Sequence, residues 1–193
     1  LVELYVRTMQ EVSGEREAAD APERLKSIAS EVMQQPALRG QADASPPWVE
    51  AQLRQFPLRY AYGTSPRRIA AHLSTIRRLS PGEVLVDSEF NDLLGTCEYA
   101  VVTFNDVIPG IFSKIAGVMA ANGLRILDAQ ILTRLDGVVV DTFQVTDPDY
   151  KGAPPRDRLE SIGATIRSVL QGKEAVETVV QRGTRMSAPR LLA

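Results

Sequence analysis

The feature that most constrains the fold is a change in residue spacing near Val84, where helical periodicity stops and strand-like runs begin. From there, β-branched and aromatic runs alternate with turn residues and with two segments of helical period. The predicted strands are 98–104, 124–134, 138–146 and 175–180, and the predicted helices are 111–122 and 156–170. This order, β-α-β-β-α-β, is the ferredoxin-like pattern of an α+β domain.

A sheet of this kind carries its helices on one face, so we expect the other face to be bare. The predicted second strand mixes polar and apolar residues on both sides. A small domain with such a strand usually covers its sheet, or extends it edge to edge, by pairing with a second copy.

The first half of the chain shows helical spacing and linker composition instead. We divide the chain into a helical segment and linker (1–47), a helical connector and lead-in strand (48–95), the ferredoxin-like domain (96–182) and a tail (183–193). Between residues 51 and 82 there are six arginines and no acidic residue. These arginines either form a patch that docks an acidic surface or a nucleotide, or lie on the solvated face of a helix.

Composition excludes several classes of function. The formal net charge of -2 disfavours a dedicated nucleic-acid binder, and no apolar run approaches the ~20 residues of a membrane span. A single cysteine, Cys97, and a single histidine, His72, exclude a disulfide framework and a zinc cluster built on several Cys and His. We expect Cys97 to be inert and His72 to be a surface residue. The start at Leu1, without a signal segment, suggests a cytoplasmic piece of a longer protein.

The connection from the first strand to the first helix has the chemistry of a binding site. The first N–H groups of a helix lack intrahelical partners and carry partial positive charge, so they can hold a carboxylate. Pro109 suits the turn, and Gly110 permits close approach of a backbone or a ligand. Asp106 could take an amino group and Asn105 an amide, so the turn can recognise a free α-amino acid.

Asp128 and Gln130 share one face of the second strand and could complete this site, often across a domain interface. The predicted ligand-binding residues are therefore Asn105, Asp106, Ile108, Pro109, Gly110, Ile111, Phe112, Asp128 and Gln130. The other interpretation is structural: Asp106 caps the helix, Gly110 only satisfies a backbone angle, and a buried Asp128 holds a turn of a neighbouring chain. The aromatic residues Phe104, Phe112 and Phe143 are expected in the core.

Three segments carry a resemblance to a known family. They are V-T-F-N-D-V-I-P-G-I-F-S-K-I-A-G (102–117), G-L-R-I-L-D-A-Q-I (123–131) and D-G…D-T-F-Q-V (136–145), and together they resemble an ACT domain. More narrowly, they are similar to the first of the two ACT domains at the C-terminal end of the bifunctional PII uridylyltransferase/uridylyl-removing enzymes. With 56–60 and 69–73, the resemblance extends over about 48–182.

This resemblance implies a regulatory, glutamine-sensing domain of an enzyme of nitrogen regulation. It implies as partners a second ACT domain in cis or trans and upstream catalytic domains, with the PII protein as a further candidate, but no nucleic acid or membrane. The 1–47 segment would be the tail of an HD-type hydrolase domain. The alternative is an ACT-type interaction or dimerisation module that binds no ligand.

The chain departs from the family's catalytic motifs. Gly63-Thr64-Ser65 is not followed by the paired aspartates that bind magnesium in a nucleotidyltransferase, and one histidine cannot supply an HD motif. The second ACT domain is absent as well. We therefore expect no catalytic residue, no metal and no cofactor in this fragment, with Mg²⁺ only in the catalytic domains of the parent.

Overall fold

The structure, a computed structural model, describes residues 21–41, 43–104 and 110–187, with side chains described up to Gly183. The predicted helix near residues 1–14 therefore lies outside the described residues. The chain divides into two compact units, Leu1–Ser74 and Thr75–Ala193. We describe each by itself.

The first unit is helical in its described part. Residues 21–33 form α1, followed by α2 (Pro46–Leu53), α3 (Leu58–Gly63) and α4 (Pro66–Arg78), whose last residues belong to the second unit. The predicted helix start at Ser65-Pro66 is confirmed, and Ser65 Oγ accepts a 3.4 Å hydrogen bond from the N–H of Arg68. Buried apolar residues on these helices include Val32, Val49, Leu53, Ile69 and Leu73.

The second unit is built on a four-stranded antiparallel sheet in the order β1-β2-β4-β3. Its strands are β1 (Leu85–Asn91), β2 (Thr96–Phe104), β3 (Arg125–Thr133) and β4 (Val138–Thr146). Its helices are α5 (Ile111–Ala121), α6 (Arg156–Leu170) and α7 (Val176–Ser187). The arrangement is α+β and consistent with a ferredoxin-like, ACT-type fold, as the sequence predicts.

The predicted fourth strand, 175–180, is wrong: these residues begin α7, which continues through Ser187. The position beside β2 is taken by the lead-in strand β1, whose ladder runs from the Leu85–Val102 pair to the Asn91–Thr96 pair. Val176 and Val179 are three residues apart and both pack on the core of this unit. A short apolar run fits the period of a strand as well as that of a helix. Because β1 already pairs with that edge of the sheet, this segment forms a helix instead.

The register sorts the strand residues into two faces, because directly opposite residues of antiparallel strands point the same way. Tyr99 pairs with Phe143 and Cys97 with Val145, and these side chains form one core with α5 and α6. The helices contribute Ile115, Val118, Met119, Ile162 and Ile166 to that core.

The opposite sheet face is not bare, which corrects our expectation. Val102, Val140 and Leu132 point to that side and are all buried. The sequence signal is the nearly unbroken β-branched run of β4, which is typical of a strand buried on both faces. No helix in the described ranges is long and apolar enough to cross a membrane.

Candidate functional site

Four predicted site residues, Asn105, Asp106, Ile108 and Pro109, lie outside the described residues, and their roles stay predictions. The next residue, Gly110, is the N-cap of α5 and has φ 70° and ψ 33°, in the left-handed region. A Cβ built on Gly110 would meet nothing within 4 Å. Glycine is thus needed here for the backbone angle, and the space beside it is open.

The first N–H groups of α5 have no acceptor within their own helix. The first intrahelical bond runs from the N–H of Lys114 to the carbonyl of Gly110, at 3.1 Å. The N–H groups of Ile111, Phe112 and Ser113 precede that bond, and Gly110 has no side chain to cap them. The first turn contains no acidic residue. These N–H groups and the helix dipole can therefore hold a carboxylate.

Phe112 forms a partly open apolar wall beside this helix terminus. Its side chain is 47% exposed, and its ring stacks on that of buried Phe143 with centroids 5.7 Å apart. Ile111 is half-buried against the core. The expectation of a core aromatic holds for Phe143 and is wrong for Phe112, which begins the helix at the margin of the core.

Asp128 and Gln130 lie on the other face of the sheet. They are opposite Gln144 and Thr142, whereas the intervening Ala129 is opposite Phe143 on the helix-packed face. Asp128 is exposed in the single chain, whereas the structural interpretation has it buried against a neighbouring chain. The edge position of β3 is the physical reason for this exposure, since β4 covers only one side of it. The structure therefore separates these two residues from the N-terminus of α5 within one domain.

One polar residue at the helix-packed face was not among the predicted site residues. Asp141 of β4 is opposite Val101 and Ile131 and is 2% exposed. The backbone N–H of Leu132 hydrogen-bonds its carboxylate, but Oδ1 has no partner among the described residues. Burial raises the pKa of Asp141 to about 6. The signal in the sequence is an aspartate at an inward position of the V-V-V-D-T-F alternation.

The lone cysteine and histidine are both internal. Cys97 is buried, and burial raises the pKa of its thiol, which disfavours the reactive thiolate. His72 is buried as well, with Nδ1 2.9 Å from the hydroxyl of Tyr60, so its prediction as a surface residue is wrong. Within the described ranges, no group of three or more His, Cys, Asp or Glu could hold a metal ion.

Two members of the arginine-rich stretch have acidic partners. Arg54 bonds Glu50 at 2.6 Å in α2, and Arg78 lies 3.2 Å from Asp87 of β1. Both arginines are substantially exposed, so each pair contributes little to stability.

No protein-family model matches the chain. Several relatives carry the same name, bifunctional uridylyltransferase/uridylyl-removing enzyme. That of Rhodospirillum rubrum is 39% identical over 82 residues, which is 42% of this chain and 9% of the relative. That of Bradyrhizobium diazoefficiens is 30% identical over 71% of this chain and 15% of the relative.

The enzyme of Rhodopseudomonas palustris is 26% identical over 98% of this chain. The chain spans 20% of its length. This similarity includes residues of both units. The chain is thus homologous to a segment of the bifunctional uridylyltransferase/uridylyl-removing enzymes and fits a fragment of such an enzyme.

Proposed function

We propose that the second unit is a regulatory ACT domain that binds a free amino acid, glutamine, in a PII uridylyltransferase/uridylyl-removing enzyme of nitrogen regulation. The observation that carries this proposal is the N-terminus of α5. The N-cap is Gly110 in the left-handed conformation, which has no side chain to cover the first N–H groups. The first turn contains no acidic side chain that would compete with a ligand carboxylate for these groups. The partly exposed ring of Phe112 lies beside them. In this proposal, catalysis and any Mg²⁺ belong to other domains of the parent.

A zwitterionic ligand matches this arrangement in chemical terms. The α-carboxylate binds the first N–H groups of α5, and the methylene groups of the side chain lie on Phe112. Asn105 and Asp106 are proposed to complete the site. Binding changes the activity of the parent only if glutamine prefers one of two arrangements of its domains.

Calorimetric titration of L-glutamine into the 193-residue chain tests the proposal directly. We expect saturable heat and a rise in melting temperature, since a ligand at 100 times its Kd stabilises the native state by about 2.7 kcal/mol. A chain that shows neither effect at millimolar glutamine contradicts glutamine sensing by this fragment.

A pair of glycine variants makes this test specific to the site. Gly110 and Gly172 have nearly equal φ, 70° and 69°, and both have open space around a built Cβ. Alanine at either position costs about 1 kcal/mol of stability, because L residues disfavour this region. Only Gly110→Ala tilts the donors of α5, so we expect it to weaken glutamine binding about tenfold while Gly172→Ala leaves binding unchanged.

The β3 edge supports a second function, an interaction module that pairs with another ACT domain in cis or trans. Among the described strands, β3 pairs only with β4, so its other edge is open. Its exposed side chains include Ile126, Leu127 and Ile131. An open apolar edge is a template for strand pairing. Pairing through this edge would also place Asp128 and Gln130 at the interface.

The two functions are distinguished by Asp106→Ala in the full-length parent enzyme. A sensing domain loses its response to glutamine, whereas a pure interaction module that contacts the catalytic domains or PII keeps its regulation. In both functions the fold of the variant must be intact, which its thermal unfolding curve reports.

A further inference from the structure

The buried carboxylate of Asp141 lies at the same end of the sheet as the N-terminus of α5. The C-terminal end of β2, from which the chain passes toward α5, pairs with the beginning of β4, as in the Phe104–Val138 and Val102–Val140 pairs. Asp141 follows one residue later, on the helix-packed face. Phe143, two residues further on that face, contacts Phe112 of the first turn of α5.

Among the described residues, this carboxylate lacks the partners that its burial demands. A buried carboxylate is stable when several donors or a counter-charge compensate for lost hydration. Asp141 has one backbone donor, from Leu132, and no ion pair among the described residues, while Oδ1 accepts nothing from them. An ammonium group supplies both the positive charge and the missing donors, and such charge-assisted bonds are strong.

We propose that Asp141 receives the α-ammonium group of the amino acid whose carboxylate binds at the N-terminus of α5. The inference rests on the proposed function and adds a second recognition point to the same site. The N–H donors of α5 bind the α-carboxylate of the ligand, and Oδ1 of Asp141 accepts hydrogen bonds from its α-ammonium group. Together they explain why a free amino acid would be chosen over a simple carboxylic acid.

Asp141 is 2% exposed, so a ligand reaches its carboxylate only if neighbouring side chains move. Ile131, directly opposite Asp141 on the same face, is 45% exposed, and Phe112 is also partly exposed. Phe112 stacks on Phe143, which lies two residues beyond Asp141 on that face of β4. A ligand that enters between Ile131 and Phe112 would exchange their contact with water for contact with its own methylene groups.

The test combines one variant with one ligand analogue. L-glutamine and glutaramate, which is glutamine without its α-amino group, are titrated into the wild-type chain and into Asp141→Asn. Asn is isosteric with Asp but cannot compensate a positive charge. We expect the wild type to prefer glutamine by at least about tenfold and Asp141→Asn to prefer it by less than about threefold. Asp92→Asn, an exposed change in the β1–β2 turn at the other end of the sheet, should keep the wild-type preference.

Each result has a definite meaning. If the wild type binds neither ligand, the proposed function fails and the inference falls with it. If the wild type binds both equally, glutamine sensing stands and recognition of the ammonium group is overturned, whatever the variant does. If Asp141→Asn weakens both ligands by the same factor, its effect is structural and the inference is again overturned. Only a selective loss of the glutamine preference supports it.

Discussion

At the scale of single residues, the proposed site depends on Asp141, whose charged carboxylate is energetically costly to bury. An isolated carboxylate is costly to bury, and here burial is nearly complete while one backbone donor among the described residues, that of Leu132, offsets it. The fold therefore carries a local penalty at physiological pH. Penalties of this kind concentrate where a ligand or a switch later makes use of them.

The first prediction concerns the stability of Asp141→Asn. The pKa of Asp141 is raised from 3.8 to about 6 in the folded chain, so the native state binds this proton more tightly than the unfolded state does. The contribution of Asp141 is therefore most favourable below pH 4, and it declines as the pH rises through 6. At pH 7.5 the asparagine variant should be more stable than the wild type, by at most about 3 kcal/mol.

Urea unfolding at several pH values checks this prediction. The stability difference between the variant and the wild type should grow from pH 4 to pH 7 and then level off. Asp92→Asn, which changes an exposed carboxyl, should show no such trend. A variant that is less stable than the wild type at pH 7.5 would show that the charged carboxylate is compensated.

The residues of the proposed site were only partly predictable from the sequence. Gly110 followed from the proline–glycine turn before a helix, a signal contained in adjacent residues. Asp141 did not, because its importance comes from which strand lies opposite it and from what its Oδ1 atom lacks. The same limit applies to Asp128 and Gln130, whose shared face was predicted, while their separation from the α5 terminus depends on the sheet register.

At the scale of elements, periodicity predicted those segments whose pattern is long and unmixed. The predicted 138–146 strand and 156–170 helix agree with β4 and α6 to the residue. The 175–180 segment failed because six residues fit a strand or a helix equally well and because β1 already pairs with that edge of β2. Which segment pairs with a sheet edge depends on other segments that are distant in the sequence. A local residue pattern contains no information about those segments.

The second prediction tests whether α7 is a packed helix. A Cβ at Gly183 would lie 2.9 Å from the carbonyl carbon of Ala121 in α5, a backbone atom that cannot move aside easily. Gly183→Ala should therefore destabilise the chain by about 1 to 3 kcal/mol, although alanine itself favours a helix by about 1 kcal/mol. Chemical denaturation measures the free energy of unfolding.

Gly163→Ala in α6 is the matched control. A Cβ at Gly163 would meet the side chain of Val86 at 3.4 Å, an ordinary contact, so this variant should be as stable as the wild type or up to about 1 kcal/mol more stable. Equal stability of the two alanine variants would mean that α7 does not pack closely on α5 in solution.

At the scale of the whole molecule, the sheet has two outer strands with different surroundings. β1 has α6 packed near it, whereas six of the nine residues of β3 are exposed, namely 125–128, Ile131 and Thr133, and none of the described strands covers its outer edge. A bulge between Ile126 and Asp128 leaves Leu127 out of the ladder, and its side chain is 59% exposed. This combination supports the proposed pairing of β3 with another strand over a permanently solvated edge.

The last prediction is that the chain self-associates through β3 and that Leu127→Lys weakens this association. In a twofold pairing of identical edges, each copy presents the same residues to the other, so two lysines would approach one another and also lose apolar burial. We expect sedimentation equilibrium to show a dimer whose dissociation constant rises at least about tenfold in the variant, which corresponds to about 1.4 kcal/mol.

Leu93→Lys is the control, because Leu93 is 95% exposed in the β1–β2 turn, away from β3. Since both sites are exposed, neither lysine should change the free energy of unfolding of the monomer by more than about 0.5 kcal/mol. A wild-type chain that stays monomeric at all concentrations, or an equal effect of the two lysines, would contradict pairing through β3.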